Sequence, residues 1–217
     1  MADTPVDAGV QRLDSFTDAA FAFAVTLMVV GAGGTQVDGA MLQSAMAGIP
    51  SFAISFAIIA VFWNAHVQWR ALRGAWDWRS TLLTLLLIFT VLIYVVPLRA
   101  MATAFAAYLG GAPGGFRGSL GSLFTIYGLG FTAMSLTALL FRDALRNRAL
   151  DAAGRRSALG QTWIWVILTL TGILSTLGAA IPSPLTIWAP FLYATLPVTI
   201  GVFAALWRWD PAPSDGG

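Results

Sequence analysis

The sequence predicts an all-α integral membrane protein made of one six-span unit. Three observations carry that expectation. Composition is the first: 58% of the 217 residues are hydrophobic and only 10% are charged, against about 25% charged in ordinary soluble domains. Mean hydropathy is +0.76, more apolar surface than a soluble domain of this length can hide. The second is spacing. A bilayer core about 30 Å thick needs roughly 20 apolar residues per helix, and six stretches qualify, at about 14–33, 44–70, 80–100, 119–141, 159–180 and 185–207. The third is the placing of arginine in the links between them.

Each span is bounded by turn chemistry. "GAGGTQVDG" at 31–39, "RGAWDWR" at 73–79, "GGAPGGFRG" at 110–118, "RDALRNRALDAAGRR" at 142–156 and "IPSP" at 181–184 separate the apolar runs, and Gly and Pro gather there as turns require. The first run is not read as a cleavable signal peptide, because it lacks a basic leading region and no soluble composition follows it. In the fourth span, "GSLGS" at 118–122 and the pair Gly128 and Gly130 are read as packing surface. Pro190 and Pro197 in the sixth are read as kinks. Residues 1–210 are taken as a single transmembrane domain, and 211–217 as a short flexible tail.

Charge then orients the chain. With the amino terminus in the cytoplasm, Arg12, Arg70, Arg73, Arg79, Arg142, Arg146, Arg148, Arg155, Arg156 and Arg208 lie inside, leaving Arg99 and Arg117 outside. The positive-inside rule therefore places both termini in the cytoplasm. Trp69, Trp76, Trp78, Trp163, Trp165, Trp207 and Trp209 gather at the same ends of the spans, where an aromatic belt belongs. A pI near 9.5 is thus a topology signal, not a nucleic-acid face. Lys, Glu and Cys are absent, which excludes disulfides, iron–sulfur clusters and thiolate catalysis. With one His and no repeated ligand spacing there is no expected metal site, no cofactor and no enzyme.

Polar residues inside apolar runs cost several kcal/mol on insertion scales, so those present need a purpose. Asp18 lies about one turn into the first span, and Asn64 and His66 lie near the inner end of the second. An Asp18–His66 or Asp18–Asn64 hydrogen bond between the helices, with Ser15 and Thr17 as additional partners, satisfies both ends. That clamp has three readings: simple helix packing, a fixed rotation of the first helix beside a permeation path, or a proton relay through His66.

The stretch from Arg12 to Leu27, "RLDSFTDAAFAFAVTL", resembles the first-helix signature of the transmembrane protein 175 family. That signature is Arg, three residues, then Phe-Ser-Asp, with a Thr two turns on. Arg12, Phe16, Asp18 and Thr26 match it in spacing, and Thr17 replaces the Ser while keeping its hydroxyl. "FWNAH" at 62–66, with Trp63, Asn64 and His66, is similar to the family's second-span segment. The resemblance implies a homotetrameric, potassium-permeable cation channel of the bacterial inner membrane that also admits other monovalent cations. It further implies a pore lined by the first helix, with a hydrophobic constriction in place of a filter loop. The Phe-Thr-Asp residues are then expected behind that helix, in a network with the second and third spans.

At about 100° per residue, Ala19, Phe23, Thr26 and Val30 form one stripe, and Asp18 points well away from it. These four are the expected pore-lining residues, with Phe23 at the constriction where relatives carry Ile or Leu. Two other classes remain open on the residues alone: a proton-coupled transporter using Asp18 and His66, and a non-conducting membrane scaffold. No inverted repeat is visible, and the polar groups lie toward one side, both of which disfavour the transporter.

Overall fold

The computed structural model is all-helical. It describes residues 5–30, 43, 46–74, 77–109, 120–180, 192 and 195–207, and these contain six long helices. They are α1 (Pro5–Val30), α2 (Ile49–Arg73), α3 (Trp78–Leu109), α4 (Leu120–Ala144), α5 (Ala152–Ala180) and α6 (Leu196–Leu206). Every apolar stretch of the sequence reading thus contains a helix. Three of them are long and apolar enough to cross a membrane: Ile49–Arg73, Trp78–Thr103 and Ala152–Gly178. The links at 31–39, 110–118 and 181–184 and the tail at 211–217 lie outside the described residues, as do Arg117, Pro190 and Arg208.

Three helices, α1, α3 and α5, begin earlier than hydropathy alone indicates. α1 starts at Pro5, because a proline at a first helical position removes no bond the helix would have made. α3 starts at Trp78 behind Asp77, whose carboxylate accepts from the Ser80 backbone N–H and hydroxyl, each at 2.9 Å. α5 starts at Ala152 behind Asp151, which accepts from the Gly154 N–H at 2.7 Å. Both aspartates satisfy orphan donors of a first turn, a role that does not register on a hydropathy scale. Pro197 corrects an expectation: it lies in the first turn of α6, where proline is tolerated, and so is no kink. Pro97 does lie inside a helix, α3.

Contacts divide the chain into two compact units, Met1–Asn64 with Thr84–Ser119, and Ala65–Leu83 with Leu120–Gly217. In the first unit α1 turns Thr17, Phe21, Ala24 and Met28 inward, all at or below 5% exposure. These positions recur every three or four residues, the spacing of one helical face. Ile59 and Phe62 of α2 and Leu87, Val91, Val95 and Leu98 of α3 are buried in the same unit.

In the second unit α4 packs along α5, and α5 also touches α6. Its polar clasp is Arg73, 5% exposed. The Arg73 Nε donates to Asp143 Oδ2 and the Nη2 to Asp77 Oδ2, both at 2.8 Å. One guanidinium thereby joins the end of α2, the start of α3 and the end of α4. Burial alone would raise the Asp77 carboxyl, but the Ser80 hydrogen bonds, with Arg73 and Arg146, hold it below the usual carboxylate value. Asn147 adds a second tie, donating from Nδ2 to the Leu72 carbonyl at 2.9 Å and covering an acceptor freed by the end of α2.

Gly74 ends α2 with φ +65°, the left-handed cap conformation that glycine adopts without strain. A Cβ there would lie 3.2 Å from Asn147 Nδ2, so substitution strains the backbone and crowds the tie just described. Gly74→Ala is expected to cost about 1–2 kcal/mol, read as a lowered midpoint in thermal unfolding of the detergent-solubilised protein.

Candidate functional site

The residues singled out in the sequence lie on α1 and α2, all but His66 in the first unit. Rotation along α1 follows from which residues the helix buries. With Thr17, Phe21, Ala24 and Met28 turned inward, a step of about 100° directs Ala19, Phe23 and Thr26 to the opposite side. All three are exposed in the single chain, Phe23 to 56%. Val30 continues the helix, but its side chain is outside the described residues. The Thr26 hydroxyl donates back to the Ala22 carbonyl at 3.0 Å, which satisfies its proton within the helix and leaves oxygen lone pairs facing outward.

The Phe-Thr-Asp triad divides by the same rotation. Thr17 is fully buried and donates to the Leu13 carbonyl at 2.8 Å. Phe16 and Asp18 flank it by about 100° on either side, and both are exposed in the single chain, Phe16 to 54%. In the single chain Thr17 is thus the buried member of the triad, because three consecutive helical residues cannot share one face. Arg12 is also exposed, beside Gln11, Ser15 and Phe16 in a shallow surface depression.

Asp18 Oδ1 accepts a 2.8 Å hydrogen bond from the Trp63 indole Nε1–H. His66 or Asn64 was the expected donor; the bond the structure describes comes from Trp63, in the same segment of α2. Asn64 is exposed. His66 belongs to the second unit, where it is 3% exposed with its ring 5.4 Å from that of Trp69. Indole is a good partner for a carboxylate in an apolar setting, since it donates once and is apolar elsewhere. Spacing along α2 places Trp63, Asn64 and His66 in one segment but does not select which of the three reaches the carboxylate.

Asp18 and Trp63 close one end of a groove of about 280 Å³ between α1 and α2. Phe21, Val25, Phe56 and Ile59 line the rest, so the carboxylate is the charged group of an otherwise apolar surface. Among the described residues no group of three or more His, Asp or Glu is arranged to hold a metal.

Trp63→Phe keeps the apolar lining and removes the indole donor. It is expected to destabilise the protein by about 1.5 kcal/mol, the lower end for a hydrogen bond to a charged group, because Trp63 is 40% exposed. Thermal unfolding in detergent measures it, and an unchanged midpoint would mean the bond contributes nothing.

Comparisons with known proteins bear on the fold and the family. The family model described as "Endosomal/lysosomal potassium channel TMEM175" matches residues 12–97, which comprise most of α1 through α3. A curated protein of Marivirga tractuosa, named "Potassium channel", is 31% identical over 151 residues, covering 64% of this chain. The match spans only 61% of that relative's own length. Among solved structures, the fold is similar to the crystal structure of the potassium channel MtTMEM175, a threonine-to-alanine variant in complex with a Nanobody-MBP fusion protein. The TM-score is 0.77 at 26% identity, covering 90% of this chain and 92% of that one. Family model, curated relative and solved structure thus all point the same way: the chain is similar to the transmembrane protein 175 family over residues 12–97 and shares the fold of a potassium channel of that name.

Proposed function

We propose that this protein is a potassium-permeable cation channel, and not an enzyme, acting as a homotetramer in the bacterial inner membrane with both termini in the cytoplasm. Four copies of α1 surround the pore, lined by Ala19, Phe23, Thr26 and Val30, with potassium the preferred ion and other monovalent cations admitted. No cofactor takes part. The single observation that carries this reading is the face of α1 that the chain leaves uncovered. A membrane helix that buries Thr17, Phe21, Ala24 and Met28 within its own subunit turns a stripe containing small residues and a threonine outward. Such a stripe, apolar with one hydroxyl, suits a narrow, sparsely polar path.

In this arrangement Phe23 forms the constriction. A ring of apolar side chains blocks ions by excluding water until the ring opens. The Asp18–Trp63 bond holds the rotation of α1, and Arg12, Phe16 and Thr17, with Asn64 and His66 on α2, complete the anchoring network. Asp18 lies about one and a half turns before Phe23 on α1, so movement of the anchor moves the constriction.

The test is flux. Purified protein in potassium-loaded liposomes is expected to release potassium down its gradient without a proton gradient and without saturating, and mass measurement in detergent is expected to find four subunits. Flux that strictly requires a proton gradient would favour the proton-coupled transporter. Tetramers with no flux, even from a variant lacking the Phe23 ring, would favour the scaffold.

A further inference from the structure

We propose that the α5 face headed by Arg155 and Arg156 is a binding site for an anionic phospholipid. The proposal rests on the membrane reading of α5 and not on channel activity. Leu159, Trp163, Leu170 and Leu177 are 39–57% exposed and lie within a narrow angular range at about 100° per residue. They form one continuous apolar stripe down the helix. The opposite face is the buried one, with Ala158, Trp165 and Ser175 at 4% exposure or less. Arg155 and Arg156 fall on either side of the top of the stripe, so a chain lying along it would bring its headgroup between two guanidinium groups.

Charge complementarity selects the occupant. Among the described residues neither Arg155 nor Arg156 makes an ion pair, and of the two acids in this link one is already paired while the other caps the first turn of α5. Asp143 faces Arg73 at 2.8 Å, and Asp151 accepts from the Gly154 N–H. The arginines are therefore a cationic surplus about two turns, roughly 11 Å, beyond the exposed Trp163, on the side where a headgroup phosphate lies outside an interfacial ring. A phosphodiester offers paired oxygens to a planar guanidinium fork, and its acyl chain covers the leucines below. A zwitterionic lipid covers the stripe equally well but lacks the net charge.

Native mass spectrometry of the full-length protein, extracted from liposomes with equal phosphatidylglycerol and phosphatidylcholine, tests the proposal. Wild type is expected to retain phosphatidylglycerol in preference by about tenfold, in keeping with the surface attraction of two arginines. Arg155→Gln with Arg156→Gln is expected to abolish most of that preference, and Arg155→Lys with Arg156→Lys to keep part of it. Arg146→Gln with Arg148→Gln, in the same link but off the stripe, is expected to leave it unchanged. Equal loss in the two Gln pairs would overturn the site in favour of diffuse charge. Displacement of the lipid by glycerol phosphate would show a soluble-anion site instead. A lower subunit count in the 155/156 Gln variant would show that a second copy of this chain covers the face. Wild-type preference in that variant would also overturn the proposal. Circular dichroism and monodispersity establish that each variant is folded, and both arginines lie at a helix start where Gln is tolerated.

Discussion

Phe23→Ala is expected to raise potassium flux about tenfold and to loosen discrimination against sodium. Phe23 is 56% exposed on the uncovered face of α1, so truncation leaves no cavity in the subunit and should not unfold it. In the proposed tetramer it removes four aromatic rings from one level of the pore. Water then enters a constriction that excluded it, and the barrier to a partly dehydrated ion falls. A tenfold gain corresponds to lowering that barrier by about 1.4 kcal/mol, a modest demand for so large a change in bulk. Liposome flux under a potassium gradient, repeated with sodium, gives both numbers. Unchanged flux from a correctly assembled variant would remove Phe23 from the constriction. Phe23→Leu restores the aliphatic side chain of the family pattern and is expected to fall between the two.

Asp143→Ala is expected to give the largest loss of stability of any single change outside the apolar core, about 3 kcal/mol. Arg73 and Asp143 side chains are 6% and 8% exposed, and the Nε–Oδ2 distance is 2.8 Å. Removing the carboxylate leaves a buried guanidinium whose remaining partner, Asp77, is 33% exposed. The cost comes from the charge left behind, and the net worth of the pair itself is much smaller. A double replacement separates the two: Arg73→Met with Asp143→Leu removes both charges and is expected to recover most of the loss. Chemical unfolding in detergent, followed by circular dichroism, provides the comparison. A double variant as unstable as the single one would show that the clasp is needed for its geometry and not only for neutrality.

Much of this architecture was legible before any coordinates. Apolar runs of about 20 residues mark helices because a bilayer leaves backbone groups no partner except each other, and each of the six runs does contain one. The α1 stripe was legible too, since helical rotation is set by 3.6 residues per turn and does not depend on what surrounds the helix. Helix starts were less visible. Asp77 and Asp151 act through one or two hydrogen bonds to first-turn donors, a signal that apolar averaging dilutes.

By itself, the sequence determined that this is a helical membrane protein, which residues of α1 share a face, and which motif it carries. Those properties depend on composition and on spacing along one helix. Only the tertiary structure decided that Trp63 donates to Asp18, that Thr17 alone of its triad is buried, and that Arg73 joins three helix ends through Asp77 and Asp143. Those facts join residues 45 and 70 positions apart. Spacing along a chain cannot specify which of several neighbouring donors on a facing helix reaches a given carboxylate, because that choice is made by the rotation and depth at which two helices pack.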